Sequence, residues 1–176
     1  YILSIKYLLF NKKKNMDLSA INIIRILKEK GYATFENDSK NFNLNLVGIR
    51  TNDMTSNSFN DHMAIIWKYK SHWNTLTFPI TSDPGLYYRE NPLNVDGTAI
   101  LKPGQYRGMW SIGKHQGKYD ALRQTGPCTV YRDANRDNKL DTEGVEEQTG
   151  HFGINHHKAG KDSTQVNKWS AGCQVC

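Results

Sequence analysis

The clearest periodicity in the chain begins at Ser19. Ala20, Ile23, Ile24 and Leu27 fall at i, i+3, i+4 and i+7, one stripe of a helix, with Ser19 placed to cap its start and Gly31 to close it. Beyond it the period changes to two, as Phe42, Leu44 and Leu46 alternate with Asn43, Asn45 and Val47. The runs from Met63 to Tyr69, Leu76 to Ile80 and Tyr106 to Ile112 are short, aromatic or β-branched, and bounded by turn formers. Asp83-Pro84-Gly85, Asn91-Pro92, Asp96-Gly97 and Pro103-Gly104 supply that punctuation. The pattern predicts a mostly β (β-rich α+β) single domain preceded by an N-terminal helix. No βαβ alternation is visible, which argues against a Rossmann or barrel enzyme, and there is no internal repeat.

Residues 1–15 are drawn almost entirely from Tyr, Ile, Leu, Lys, Asn, Ser and Phe, and Met16 opens a segment of different character. The chain therefore divides into an extension over 1–15, either translated upstream sequence or a short helix or strand, and one domain over 16–176. With 176 residues, 38% hydrophobic and 23% charged, the composition is that of a globule able to form one core. A net charge of +6 favours an anionic partner. The basic residues are scattered apart from Lys12-Lys13-Lys14, with no aromatic-basic signature, so nucleic acid is not expected. No run reaches the roughly 18 apolar residues of a membrane span. In the apolar run Tyr1 to Phe10 the lysine cluster follows rather than leads, which is not the order of a signal peptide.

The three cysteines, Cys128, Cys173 and Cys176, cannot all pair with one another, so at least one thiol needs another role. His151 to His157 reads as a strand, and Trp169-Ser170-Ala171-Gly172-Cys173 as a tight turn of small residues presenting a thiol. A catalytic thiol needs a basic partner and backbone N–H groups free for a developing oxyanion, and the amides of Gly172 and Cys173 could point into one space. On a strand, Phe152, Ile154 and His156 share the apolar face while Gly153, Asn155 and His157 share the other. His156 is then expected to pack and His157 to face a cleft. Cys173 keeps three readings: a nucleophile, an inert buried thiol, or a zinc ligand with Cys176 and one of His151, His156 or His157.

A histidine on a strand, followed after a loop by Ser-x-Gly-Cys, resembles the catalytic signature of L,D-transpeptidase (YkuD-like) domains. The likeness rests on His157, Ser170, Gly172 and Cys173, with support from Leu101-Lys102-Pro103-Gly104-Gln105-Tyr106, and covers the C-terminal half. This chain has Ala171 where the family usually has histidine and Val175 where it often has arginine. It stops at Cys176 where a family member continues, so the domain reads as truncated at its C-terminus. The resemblance implies cysteine-dependent acyl transfer on peptidoglycan stem peptides, with Cys173 attacking, His157 accepting and then donating the proton, and Ser170 and Gly172 completing the catalytic set. Tyr106, Trp110, His156 and Trp169 are expected along a substrate groove, with Arg107 nearby. No cofactor is required, the partner is peptidoglycan, and the place of action is the cell envelope or the extracellular space, with phage origin open. The rival is a non-catalytic wall-binding or structural module, phage-associated or not, that keeps the fold.

A second motif is separate from this chemistry. Asp133, Asn135, Asp137 and Asp141 stand at positions one, three, five and nine of a calcium-type loop, with the Lys139 carbonyl at seven and Asn138 where glycine normally makes a left-handed turn. A structural calcium ion and a solvated acidic turn are the two readings of it.

Overall fold

The computed structural model describes residues 4–10, 16–38, 43–55 and 57–176. Its elements in chain order are β1 (Ser4–Phe10), α1 (Ala20–Glu29), β2 (Asn45–Thr51), β3 (Asp61–Tyr69), β4 (His72–Ile80), α2 (Leu86–Glu90), β5 (Thr98–Leu101), β6 (Gln105–Arg107), β7 (Trp110–His115), β8 (Tyr119–Gln124), β9 (Cys128–Asp133), β10 (Glu147–Gly150), β11 (His156–His157) and β12 (Gln174–Val175). The domain is mostly β. Three sheets run in the orders β4-β3-β2-β1-β6, β10-β9-β5 and β12-β11-β8-β7. No helix among the described residues is long and apolar enough to cross a membrane.

The helix forms where its periodicity places it. The Ser19 hydroxyl accepts from the Asn22 N–H, Gly31 follows in the left-handed region at φ +73°, and Ala20, Ile23, Ile24 and Leu27 are buried. That stripe packs on Val47, Ile49, Ala64 and Ile66 of β2 and β3. Each large aliphatic side chain so buried is worth about 1.5–3 kcal/mol.

Two expectations are corrected here. First, the chain does contain one βαβ unit: β1 lies parallel to β2 in full register with α1 as the crossover. It was hidden because β1 falls inside the segment set apart as an extension; Lys12-Lys13-Lys14 lie outside the described residues. Second, the alternation read from Phe42 onward begins as a strand only at Asn45, and Phe42 lies outside the described residues. Nearly every residue of β2 is buried, because α1 covers one face and a second core covers the other. The run Tyr106 to Ile112 also divides at Gly108 into β6 and β7, which belong to different sheets.

That second core gathers Leu46, Met63, Ile80, Leu101, Met109, Trp110, Val130 and Ile154. Beside it lies a buried polar network. Arg50 Nη1 and Nη2 donate to the carbonyls of Leu101 (3.1 Å) and Ser82 (3.0 Å), and Nε reaches Ser82 Oγ at 3.1 Å. Nε is also 2.8 Å from Asp83 Oδ1, an ion-pair approach rather than a well-aligned hydrogen bond. Asp61 accepts from the Ser82 N–H at 2.8 Å, from its hydroxyl, and from the Thr51 N–H at 2.7 Å. Removing one partner of a buried pair leaves the other charge uncompensated. Arg50→Met is therefore expected to lower the unfolding free energy by about 3–5 kcal/mol in urea titrations. Lys102→Met, which removes the exposed Lys102–Glu147 pair at 2.6 Å, should leave the midpoint almost unchanged.

Candidate active site

The turn that presents Cys173 is built from inside. Ser170 is fully buried; its hydroxyl donates to the Cys173 carbonyl at 2.8 Å and accepts the Gly172 N–H at 3.1 Å. Gly172 lies at φ +123°, and a Cβ there would stand 2.5 Å from the Ala99 carbonyl oxygen, so only glycine fits. The Ser170 carbonyl accepts the Gly85 N–H at 2.9 Å, and Gly85 is so close to Asn167 that a Cβ would stand 2.0 Å from its carbonyl oxygen. Beyond the turn, Val175 exchanges both backbone bonds with Thr81, at 2.7 and 3.0 Å. The segment 81–85, anchored by the Arg50 network, thus holds the turn from both ends. One expectation changes: the Gly172 amide is taken by Ser170, leaving the Cys173 N–H as the donor with no acceptor among the described residues.

β11 lies parallel to β12, His156 opposite Gln174 and His157 opposite Val175. One step earlier, Asn155 flanks Cys173, its carbonyl accepting the Gln174 N–H at 2.8 Å. Carried one residue back from β12, this register puts Cys173 on the His157 side, two residues or roughly 6.6 Å away along the strand direction; among the described residues no hydrogen bond joins the two side chains, and the Cys173 sulfur bonds the Gly153 carbonyl. Of the segment expected as a strand, only His156 and His157 are one; Gly153, at φ +74°, breaks it. The His156 and His157 rings still point to opposite sides, but His157 does not face an open cleft as expected: it is 4% exposed and more buried than His156. Phe152 and Ile154 join the core, His156 stacks on Trp110 with centroids 5.6 Å apart, and His157 turns to the opposite side.

There it meets residues that the sequence did not point to. The His157 ring stacks on His115 at 3.9 Å between centroids, and its Nδ1 is 3.3 Å from Tyr119 Oη and 2.9 Å from the Lys158 carbonyl. The carbonyl can only accept, so Nδ1 carries the proton and Nε2 keeps the lone pair. Nε2 is buried and has no hydrogen-bond partner among the described residues. His115 in turn meets the Asn155 amide at 3.1 Å. The only signal for Tyr119 and His115 was their position across the Gln116-Gly117 hairpin turn, which brings them opposite one another.

Burial disfavours the charged form of both Cys173 and His157. Burial pushes the Cys173 thiol up, offset in part by the neighbouring Asn155 N–H, and the sulfur donates to the Gly153 carbonyl at 3.3 Å. Burial pushes His157 down, against the Lys158 carbonyl and with the His115 charge. The remaining groove residues divide. Trp110, expected along the groove, is buried in the core with its indole N–H on the Ile154 carbonyl at 2.6 Å. Tyr106 packs against the same core, its hydroxyl on the Lys102 carbonyl at 2.7 Å, and burial raises its pKa. His156 likewise turns its ring inward; Arg107 and Trp169 are exposed.

Among the described residues no group of three or more His, Cys, Asp or Glu side chains is arranged to hold a metal. In the 133–141 loop the Asn135 amide donates to Asp137 (3.2 Å) and Asp141 (2.6 Å), and Asp133 accepts the Asp141 N–H at 3.4 Å. The left-handed residue is Arg136, at φ +61°, and not Asn138. The buried Arg89 side chain binds the Asn138 and Pro84 carbonyls and supplies positive charge to Asp133 and Asp137. A rise in Tm at millimolar calcium, removed by Asp133→Ala with Asp137→Ala, is the expected mark of a loop that binds the ion; an unchanged Tm leaves its order to Asn135 and Arg89. Comparison with known protein families, with curated protein sequences and with solved structures returns no match for this chain.

Burial brings the folded pKa of His156 down to about 4 from an ordinary 6.5. The unfolded chain therefore takes up this proton first, and the stability that neutral His156 contributes is lost as pH falls through that window. Asp83, pushed up to about 6 by burial, acts in the opposite sense between about 3.8 and 6. The readout is the difference: urea unfolding at pH 7 and pH 4.5 should show His156→Phe losing less stability on acidification than the unmodified chain.

Proposed function

We propose that this chain is a cysteine-dependent acyl-transfer domain of L,D-transpeptidase type, acting on peptidoglycan stem peptides in the cell envelope or outside the cell. The observation that carries the reading is the placement of Cys173 just before β12 and of His157 in the neighbouring parallel β11, two register steps apart, with His157 Nδ1–H held by the Lys158 carbonyl and the buried Nε2 without a hydrogen-bond partner among the described residues. In the reaction the thiol proton passes to Nε2 as sulfur bonds to the peptide carbonyl carbon. The Cys173 N–H receives the oxyanion, and the C–N bond breaks as His157 protonates the departing amine. An acceptor amine or water then resolves the thioester.

The neutral, carbonyl-bonded thiol favours one alternative, a wall-binding or structural module in which this site does no chemistry. Acylation by a carbapenem, read by intact mass and peptide mapping, separates the two. Modification is expected at Cys173 and not at Cys128 or Cys176; it should vanish in Cys173→Ser and slow by about 10²–10⁴-fold in His157→Ala. If Cys173 stays unmodified while the chain is folded, the module reading replaces this one.

A further inference from the structure

Asn155 reaches both halves of the site. Its N–H offsets part of the upward push that burial gives the Cys173 thiol, and its carbonyl accepts the Gln174 N–H at 2.8 Å. Its side chain crosses to the neighbouring strands, where Oδ1 accepts the Gln124 N–H at 2.8 Å and Nδ2 lies 3.1 Å from His115 Nδ1. A backbone N–H can only donate, so the amide oxygen of Asn155 must face Gln124 and its NH2 must face His115. That NH2 likewise only donates. His115 Nδ1 must therefore hold a lone pair, which leaves the ring proton on Nε2.

This is the reverse of His157, where the Lys158 carbonyl requires the proton on Nδ1. The two rings stack with centroids 3.9 Å apart, one neutral imidazole of each tautomer. They differ in what a further proton does. On His157 it goes to Nε2, and the bond to the Lys158 carbonyl is kept. On His115 it goes to Nδ1, and sets N–H against N–H across the contact with Asn155. Burial and Lys118 also disfavour a charge on His115, and a charge on either ring disfavours one on the other. The remaining neighbours are Tyr119, 5.5 Å from His115 between centroids, and Lys158, whose Nζ lies 5.4 Å from the Tyr119 ring. We propose that Asn155 is a positioning residue that locks His115 in its neutral Nε2–H form, so that the stacked pair takes up its single proton on His157. That this proton comes from Cys173 rests on the acyl-transfer reading above; the tautomers do not.

The experiment is a long-range ¹H–¹⁵N NMR spectrum of the full chain with labelled histidine, titrated with pH, using His115→Gln and His157→Gln to assign the rings. At pH 7 His115 is expected to show a bare Nδ1 and a protonated Nε2, and His157 the converse. On acidification His157 should gain its second proton at higher pH than His115. Asn155→Asp places an acceptor against His115 Nδ1; His115 should then charge first, its midpoint raised by about one pH unit or more. A proton on His115 Nδ1 at pH 7 in the unmodified chain, His115 charging before His157 there, or an unmoved His115 midpoint in a folded Asn155→Asp chain overturns the proposal. The tautomer is read in the unmodified chain, so a failure of Asn155→Asp to fold does not shield it. Carbapenem acylation together with a protonated His115 Nδ1 removes this assignment and keeps the nucleophile. The expected tautomers without acylation keep this assignment and remove the nucleophile.

Discussion

The geometry of the site depends on a guanidinium that the fold takes out of water. Arg50 sits on β2, where both sheet faces are covered, and an ion placed there costs several kcal/mol unless its donors are met. Asp83 and the Ser82 and Leu101 carbonyls meet them, and Asp61 fixes Ser82 from the other side. These partners come from the end of β5, the start of β3 and the segment after β4. Once they are assembled, residues 81–85 have little freedom. It is this segment that pairs with Val175 and receives Ser170 through the Gly85 amide. A charge in the first sheet thereby sets the position of a thiol in the third.

Burial has a second effect on that thiol. Desolvation raises Cys173 and lowers His157, so each shift favours the uncharged partner and neither favours a standing thiolate-imidazolium pair. What the fold supplies instead is direction. The Lys158 carbonyl sets the tautomer, His115 and Tyr119 hold the ring, and Ser170 closes the turn so that the Cys173 amide is the donor left over. On the acyl-transfer reading proposed above, such a site would be poised by orientation and would separate charge only when a carbonyl arrives to receive the sulfur.

Sequence periodicity exposed what is local and hid what is distant. α1 was legible to the residue because cap, stripe and closing glycine all fall within thirteen positions, 19–31. The tight turn that presents Cys173 was legible because Ser170, Gly172 and Cys173 are neighbours whose small size and hydrogen bonding shape it. β1 was not, since its partner β2 lies beyond a helix and parallel pairing leaves no mark in adjacent residues. Tyr119 and His115 reach His157 from about forty positions away, so nothing near His157 announced them. Arg50 and Asp83 look in sequence like surface charges; only the closure of two cores over β2 makes them internal. Trp110 misled for the converse reason, because an aromatic near a candidate groove and an aromatic under it have the same neighbours in sequence.

The position two residues after Cys173 shows how packing limits what this turn can carry. Val175 is fully buried, and both of its backbone groups are bonded to Thr81. A guanidinium at that point would need its own set of buried acceptors, and both backbone groups of Val175 are already bonded to Thr81. β12 thus has no room for a cation beside the thiol.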